Sequence, residues 1–318
     1  MIYKDFLDNV GNTPLIKINH NGLDNIKLFA KLEGYNPTGS VKDRAASYIL
    51  NKILSTGEIN KDTVIIESSS GNLGISLASY CKKLGLKFHC IIDKNISPIN
   101  EAILINLTEH VTKISEVDGN GGYLLNRIKK VKELISEYPN SYWVNQYSNP
   151  YNAAAYYETL GTEICNDLSI IDYVFIGVSS GGTITGVSQK IKKLFPQAKI
   201  IAVDTEGSII FGGEPKKRYI PGMGSSMIPS ILQSAQIDEV IKVPEKSAIE
   251  MCHRLIKDHG LFVGGSSGSV ISAIETYFKN KTFAEPPTVL TIFADNGKRY
   301  LTTIFNDKWC KENFGITA

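Results

Sequence analysis

Nothing in this chain of 318 residues approaches the ~20 consecutive apolar residues that a membrane span requires, so no membrane partner is expected. Nor is there a surplus of one charge: 34 basic residues stand against 32 acidic ones, a net charge of +2. That balance gives nucleic acid no electrostatic reason to bind. Cysteine is sparse and scattered. Cys81, Cys90, Cys165, Cys252 and Cys310 form no Cys-x-x-Cys pair, which argues against a disulfide framework or a zinc site and for free thiols in a reducing compartment. The first thirty residues lack a basic start followed by an apolar run, so no secretory signal is expected and the cytoplasm is the expected location. His253 and His259 do not share a helical face, so no metal site is expected. Nucleotide signatures are missing as well: there is no Gly-x-x-x-x-Gly-Lys-Ser/Thr and no complete Gly-x-Gly-x-x-Gly.

What the chain does have is alternation. Val64 to Ile66, Phe88 to Ile92, Tyr173 to Val178, Ile200 to Val203 and Val289 to Phe293 read as strands buried on both faces. Helical patterns lie between them, such as Leu73, Leu77, Cys81 and Leu84. Strands alternating with helices predict an α/β fold with mostly parallel sheet. Gly-rich turns follow several strands, at Ser68 to Gly71, Ser179 to Gly182 and Gly264 to Gly268. In open α/β sheets, ligands sit at the carboxyl ends of strands, so these turns are the places to look.

The stretch Asn36-Pro37-Thr38-Gly39-Ser40-Val41-Lys42-Asp43-Arg44 opens a helix, with Ser40 and Asp43 in the spacing of a capping box. Ala46, Ile49, Leu50, Ile53 and Leu54 form its apolar stripe. Lys42 falls on that stripe, while Asp43 and Arg44 are expected to turn away. A lysine aimed inward at a helix start has a depressed pKa, from desolvation and from the positive end of the dipole. Such an amine is nucleophilic enough for a Schiff base. The segment alone suits equally a lysine whose tip reaches solvent.

Ser68-Ser69-Ser70-Gly71-Asn72 and Ser179-Ser180-Gly181-Gly182-Thr183 each join a strand to a helix. Free amides at a helix start bind phosphate or carboxylate, although each turn alone also suits a tight connection. Gly264-Gly265-Ser266-Ser267-Gly268 matches the nucleophile elbow of an α/β-hydrolase. That fold places its catalytic histidine after the serine, and every histidine here precedes Ser266. The elbow reads as a coincidence.

Taken together these segments resemble the cysteine synthase and cystathionine β-synthase family, the β-family of pyridoxal phosphate enzymes. The resemblance runs from Val10-Gly11-Asn12-Thr13-Pro14-Leu15 through the Lys42 segment, Ser69 to Asn72 and Gln146-Tyr147-Ser148-Asn149-Pro150. It continues in Ser180 to Thr183, Pro221-Gly222-Met223-Gly224 and Gly297-Lys298-Arg299-Tyr300-Leu301. It implies two α/β domains, each with a twisted, mostly parallel sheet flanked by helices, of the tryptophan synthase β-like fold (type II). A smaller, mobile, substrate-clamping domain over 46–145 would face a larger cofactor-binding one made of 1–45 and 146–318. A homodimer acting on small amino-acid substrates is implied as well. The cofactor would be pyridoxal 5′-phosphate.

The same resemblance implies roles. Lys42 would carry the cofactor as a Schiff base and later remove the substrate α-proton. Asn72 would hydrogen-bond the cofactor's 3′ oxygen. Ser179, Ser180, Gly181, Gly182 and Thr183 would cradle its phosphate. Ser69, Ser70, Gly71 and Asn72 would clamp the substrate carboxylate, with Gln146 facing the same pocket. The β-substituent of a serine derivative would leave and a new nucleophile would take its place. Two positions depart from the pattern. Leu73 stands where cysteine synthases carry a hydroxyl residue, and Asp295 or Asn296 stands where many relatives set a serine against the pyridine nitrogen.

Leu73, Ile96-Ser97-Pro98, Gly121-Gly122-Tyr123-Leu124, Tyr142 to Tyr147 and Gly222 to Ser226 look closer to one branch, the siderophore-pathway synthases of N-(2-amino-2-carboxyethyl)-L-glutamate. That branch implies O-phospho-L-serine as donor and the amino group of L-glutamate as nucleophile. Such anionic substrates need cationic donors, preferably bidentate ones. Arg127 borders the buried stripe of its helix, made by Leu124, Ile128, Val131 and Ile135, and Arg218 precedes the Pro221 turn. Tyr147, Gly222, Ser225 and Ser226 complete the candidates. The rivals are a cysteine synthase using O-acetyl-L-serine and sulfide, and a non-catalytic binding paralogue.

Overall fold

The computed structural model describes residues 2–119 and 122–316, so Gly121 lies outside the described residues. The chain begins with β1 (Leu15–Ile18), β2 (Lys27–Leu32), α1 (Lys42–Ser55), β3 (Val64–Ser68) and α2 (Asn72–Leu84). It continues through β4 (Lys87–Asp93), α3 (Pro98–Leu107), β5 (His110–Ile114), α4 (Leu124–Glu137) and β6 (Ser141–Trp143). Then come α5 (Pro150–Tyr156), α6 (Thr162–Asp167), β7 (Tyr173–Gly177), α7 (Gly182–Leu194) and β8 (Lys199–Thr205). The remainder is β9 (Glu239–Val243), α8 (Glu245–His259), α9 (Gly265–Phe278), β10 (Thr288–Phe293) and α10 (Asp307–Phe314).

Two sheets result, one ordered β1-β2-β10-β7-β8-β9 and the other β5-β4-β3-β6. Among the described strands, only β1 with β2 pairs antiparallel. The fold is thus the expected α/β arrangement with two mostly parallel sheets. β10 is buried at every residue, as a strand flanked on both edges and covered on both faces must be. β1 and β2 were not anticipated from sequence, because Lys17, Lys27 and Lys31 interrupt their apolar pattern. Lys31 is nonetheless buried, its ammonium 3.1 Å from both Glu163 and Asp167. A charge enters a sheet only with such partners.

The strands of the smaller sheet all come from residues 64–143, and those of the larger sheet from either side of that stretch. One apolar core joins them: Ile49, Leu50 and Ile53 of α1 cluster with Ile65 and Phe88 of one sheet and with Val174, Ile200 and Leu290 of the other. Helix α1 is the shared wall, packed on both α2 and α5. No helix among the described residues is long and apolar enough to cross a membrane.

The topology gathers turns at one cleft. The carboxyl ends of β3, β7 and β10 lead into Ser69–Gly71, Ser179–Gly181 and Ala294–Asp295. The segment before α1 is pinned to the last of these: the Val41 amide donates to the Ala294 carbonyl at 2.8 Å, and Ser40 bridges Asp295.

Candidate active site

Lys42 opens α1, but not by the expected capping box. Val41 holds the cap position without a side-chain bond, and Ser40 Oγ only accepts from the Lys42 amide at 3.3 Å. The Asp43 carboxylate folds back to accept from the Thr38 amide at 2.6 Å and from the Thr38 hydroxyl. Asp43 and Arg44 do not turn away to solvent; both are buried. The Arg44 guanidinium donates to Glu33 at 2.6 and 2.9 Å and to Glu163 at 2.6 and 2.8 Å. Paired charges removed the reason for these side chains to seek water. They clamp the helix start on which Lys42 stands.

The Lys42 ammonium lies 5.9 Å from the centre of the buried Tyr156 ring. Burial pulls its pKa down from 10.5 to about 8, against a smaller upward pull from the Asp295 carboxylate. The amine is therefore poised between its two forms near neutral pH.

A cavity faces this amine, lined by Lys42, Asn72, Ser179, Ser180, Gly181, Thr183, Gly222 and Asp295, all sequence candidates, together with Ser266 and Tyr300. Its floor is the start of α7. Gly182 is the first residue of that helix, and Gly181 turns into it at φ 90°. A Cβ on Gly182 would come within 2.4 Å of the Asn152 side chain. The first amides of such a helix have no acceptor inside it, and Ser180 Oγ is buried with no partner. This is a cradle for an anion. Ser179 Oγ donates to the Gly224 carbonyl at 3.1 Å and the Gly224 amide to the Val178 carbonyl at 2.8 Å, clipping the Pro221–Gly224 turn to the cradle.

Another wall of the cavity is Asp295. Asp295 faces the cavity, whereas Asn296 caps the turn that follows by accepting from the Lys298 amide. Asp295 Oδ2 accepts from Asn72 Nδ2 at 2.7 Å and from the Tyr300 hydroxyl at 2.8 Å, while the buried Oδ1 has no partner. Burial raises the Asp295 pKa, opposed by those two bonds and by Arg299 and Lys42. Arg299 reaches across to the Asn72 carbonyl oxygen and to the Thr38 carbonyl, so both ends of the Asn72 amide are held.

The remaining candidates stand outside the cavity. Ser69 Oγ accepts from the Gly74 amide at 3.1 Å and from the Gly71 amide at 3.4 Å, shaping the loop ahead of Asn72. Ser70 Oγ donates to Asp93 at 2.9 Å and receives Arg127 Nη1 at 3.2 Å. Arg127 also pairs with Asp93 at 3.2 Å and keeps a buried Nε without partner. Gln146 Nε2 donates to the Ser68 carbonyl at 3.4 Å. Arg218 donates to the Gly207 carbonyl at 2.6 Å and to Ser226 at 3.0 Å. The Tyr147 phenol, raised by burial, feels both Arg127 and Arg218. Ser225 is buried in its turn, its hydroxyl accepting from the Met227 amide at 3.1 Å. Leu73 joins the shared apolar core.

Sequence reasoning did not single out Tyr156, Arg299, Tyr300, Ser266 or Glu67. Arg299 and Tyr300 lay within a quoted motif without a role. Ser266 lay in the rejected elbow, which proves to be the start of α9 and part of the cavity wall. Tyr156, whose buried hydroxyl has no partner, carried no signal beyond an aromatic in a helix.

A pyridoxal-phosphate dependent enzyme family model matches residues 6–295. The chain belongs to that family. An O-acetylserine dependent cystathionine β-synthase from Helicobacter pylori is similar at 35% identity and a TM-score of 0.87, with 95% of this chain and 98% of that one covered. A hydrogen sulfide-producing enzyme from Fusobacterium nucleatum is 30% identical with a TM-score of 0.87, covering 94% and 100%. An O-ureido-L-serine synthase is 26% identical with a TM-score of 0.88, covering 96% of each chain. The chain is thus a pyridoxal-phosphate dependent enzyme of fold type II, in a group that makes β-substituted alanines. The cavity fits the cofactor: an anion cradle with the unpartnered Ser180 hydroxyl lies at one wall, an amine of lowered pKa at another, and a buried carboxylate at a third.

Proposed function

We propose that the enzyme joins O-phospho-L-serine and L-glutamate into N-(2-amino-2-carboxyethyl)-L-glutamate, releasing phosphate, a precursor of siderophore or 2,3-diaminopropionate synthesis. The observation that carries this reading is the convergence of Arg127 and Arg218 on Tyr147, beside the Ser70 loop. Two guanidiniums near one tyrosine suit substrates bearing extra phosphate and carboxylate groups.

In this reading Lys42 Nζ carries the cofactor and moves the substrate α-proton, and its lowered pKa makes both tasks feasible near neutral pH. When bound, the cofactor supplies the electron sink that acidifies the substrate α-carbon. Ser179 to Thr183 would hold its phosphate, Asn72 its 3′ oxygen, and Asp295 would face its pyridine nitrogen. The loop Ser69 to Asn72 and Gln146 hold the substrate carboxylate, with Tyr147, Gly222, Ser225 and Ser226 around the variable end. The unit over 46–145 closes on the substrate to exclude water. The active form is a cytoplasmic homodimer.

A second reading is supported by the O-acetylserine dependence named for the Helicobacter pylori relative and by the pairing of Arg127 with Asp93, which neutralises part of its charge. It is cysteine synthesis from O-acetyl-L-serine and sulfide. The test mixes cofactor-loaded enzyme with each donor and each nucleophile and reads product mass. A glutamate adduct formed from O-phospho-L-serine supports the first reading. Turnover confined to O-acetyl-L-serine and sulfide overturns it.

A further inference from the structure

Glu67 is the last charged residue of β3, one position before the loop Ser68–Gly71, and is only 1% exposed. A carboxylate at such depth is costly unless its oxygens are used. Both are. Oε1 accepts from the Ser68 amide at 2.7 Å, and Oε2 accepts from the Gln146 amide at 3.2 Å. Ser68 begins one substrate-facing loop and Gln146 the other, 78 residues further along the chain. The Gln146 side chain returns the contact, donating to the Ser68 carbonyl at 3.4 Å.

We infer that Glu67 is a positioning residue, whose ionised carboxylate latches the Ser68–Gly71 loop to the Gln146 turn and so sets the gap in which a substrate carboxylate is held. The inference rests on the proposed role of that loop in substrate binding. A carboxylate is required because both partners are N–H donors. A glutamine could accept from one amide but would turn its own NH2 group against the other.

The groups facing Glu67 come from several neighbouring elements. Cys90 lies on β4, Arg127 on α4, and the Trp143 indole N–H on β6. Tyr147 stands in the Gln146 turn itself. Burial pushes the Glu67 pKa up to about 7, against the two amides, Trp143 and Arg127. The latch therefore weakens as pH falls through about 7, when one oxygen gains a proton.

The probe is L-alanine, an amino acid without a β leaving group, titrated into cofactor-loaded enzyme from about pH 6 to about pH 8.5 and read from the cofactor spectrum. The wild-type dissociation constant is expected to rise as pH drops through about 7. Glu67→Gln should bind about tenfold or more weakly at the upper pH and lose that inflection. Glu67→Asp, which keeps the carboxylate, should keep an inflection. A Glu67→Gln enzyme with the wild-type constant and inflection overturns the latch, and so does a wild-type profile flat through pH 7, which needs no variant. Ser69→Ala, run alongside, separates the two readings. If it weakens L-alanine binding while Glu67→Gln does not, the latch alone fails; if neither does, the loop assignment fails and takes the latch with it.

Discussion

The lowered pKa of Lys42 predicts how cofactor-free protein should take up pyridoxal phosphate. With a pKa of about 8, about one Lys42 in eleven is a free amine at pH 7. At the ordinary 10.5 the fraction would be about one in three thousand, so burial makes the amine ~300-fold more available. Covalent loading at Lys42 should thus accelerate about tenfold per pH unit below 8 and level off above it. The assay follows loading by borohydride trapping and mass at Lys42 across pH 6 to about pH 10. Asp295 is the group that holds the ammonium on, so Asp295→Asn should move the levelling point to lower pH. Lys42→Ala should show no covalent loading and no turnover. A wild-type rate that keeps climbing past pH 9 would mean that Lys42 titrates like a solvated lysine, and the desolvation argument would be wrong.

Arg44→Met removes the counter-charge of a fully buried Glu33 and should destabilise by about 3–5 kcal/mol in chemical denaturation, because an unpaired buried charge remains. A loss under about 1 kcal/mol would mean that water reaches Glu33. Arg127→Ala should raise KM for an anionic donor by roughly tenfold or more while leaving cofactor affinity nearly unchanged; unaltered kinetics would remove Arg127 from the site. Gly182→Ala drives a Cβ into Asn152, whose Nδ2 is held on the Gln146 carbonyl at 2.7 Å and cannot yield freely. It should cost about 1–3 kcal/mol and loosen cofactor binding, measured by equilibrium dialysis.

The fold was legible where one rule acted alone. Strands buried on both faces announced themselves as unbroken apolar runs, and β3, β4, β7, β8 and β10 all lie where those runs lie. The edge of the larger sheet was illegible because a buried lysine does not look like core. Lys31 belongs inside only because Glu163 and Asp167 reach it from α6, over 130 residues away, and no local pattern carries that information. The start of α1 failed for the same reason. Spacing suggested that Ser40 and Asp43 form a capping box and that Arg44 meets water; Asp43 turns instead to Thr38, while Glu33 and Glu163, the latter 119 residues away, hold Arg44 inside.

The cavity shows the same division, and it explains why a buried carboxylate is tolerable at Asp295 beside Lys42. A lone buried carboxylate beside Lys42 would either raise the amine's pKa or take up a proton itself. Here its Oδ2 is shared between Asn72 and Tyr300, and Arg299 lies close enough to favour the ionised form. Arg299 in turn fixes the far end of the Asn72 amide. The carboxylate of Asp295 is thus matched by a group of donors, Asn72 and Tyr300 with Arg299 behind Asn72, three residues that the sequence displayed in two separate motifs. Motifs named the members. Only the folded chain, by bringing α2 against the turn after β10, shows that Asn72 and Tyr300 meet on a single oxygen of Asp295 with Arg299 behind Asn72, and that the other oxygen of Asp295 is left without a donor in the wall of the cavity.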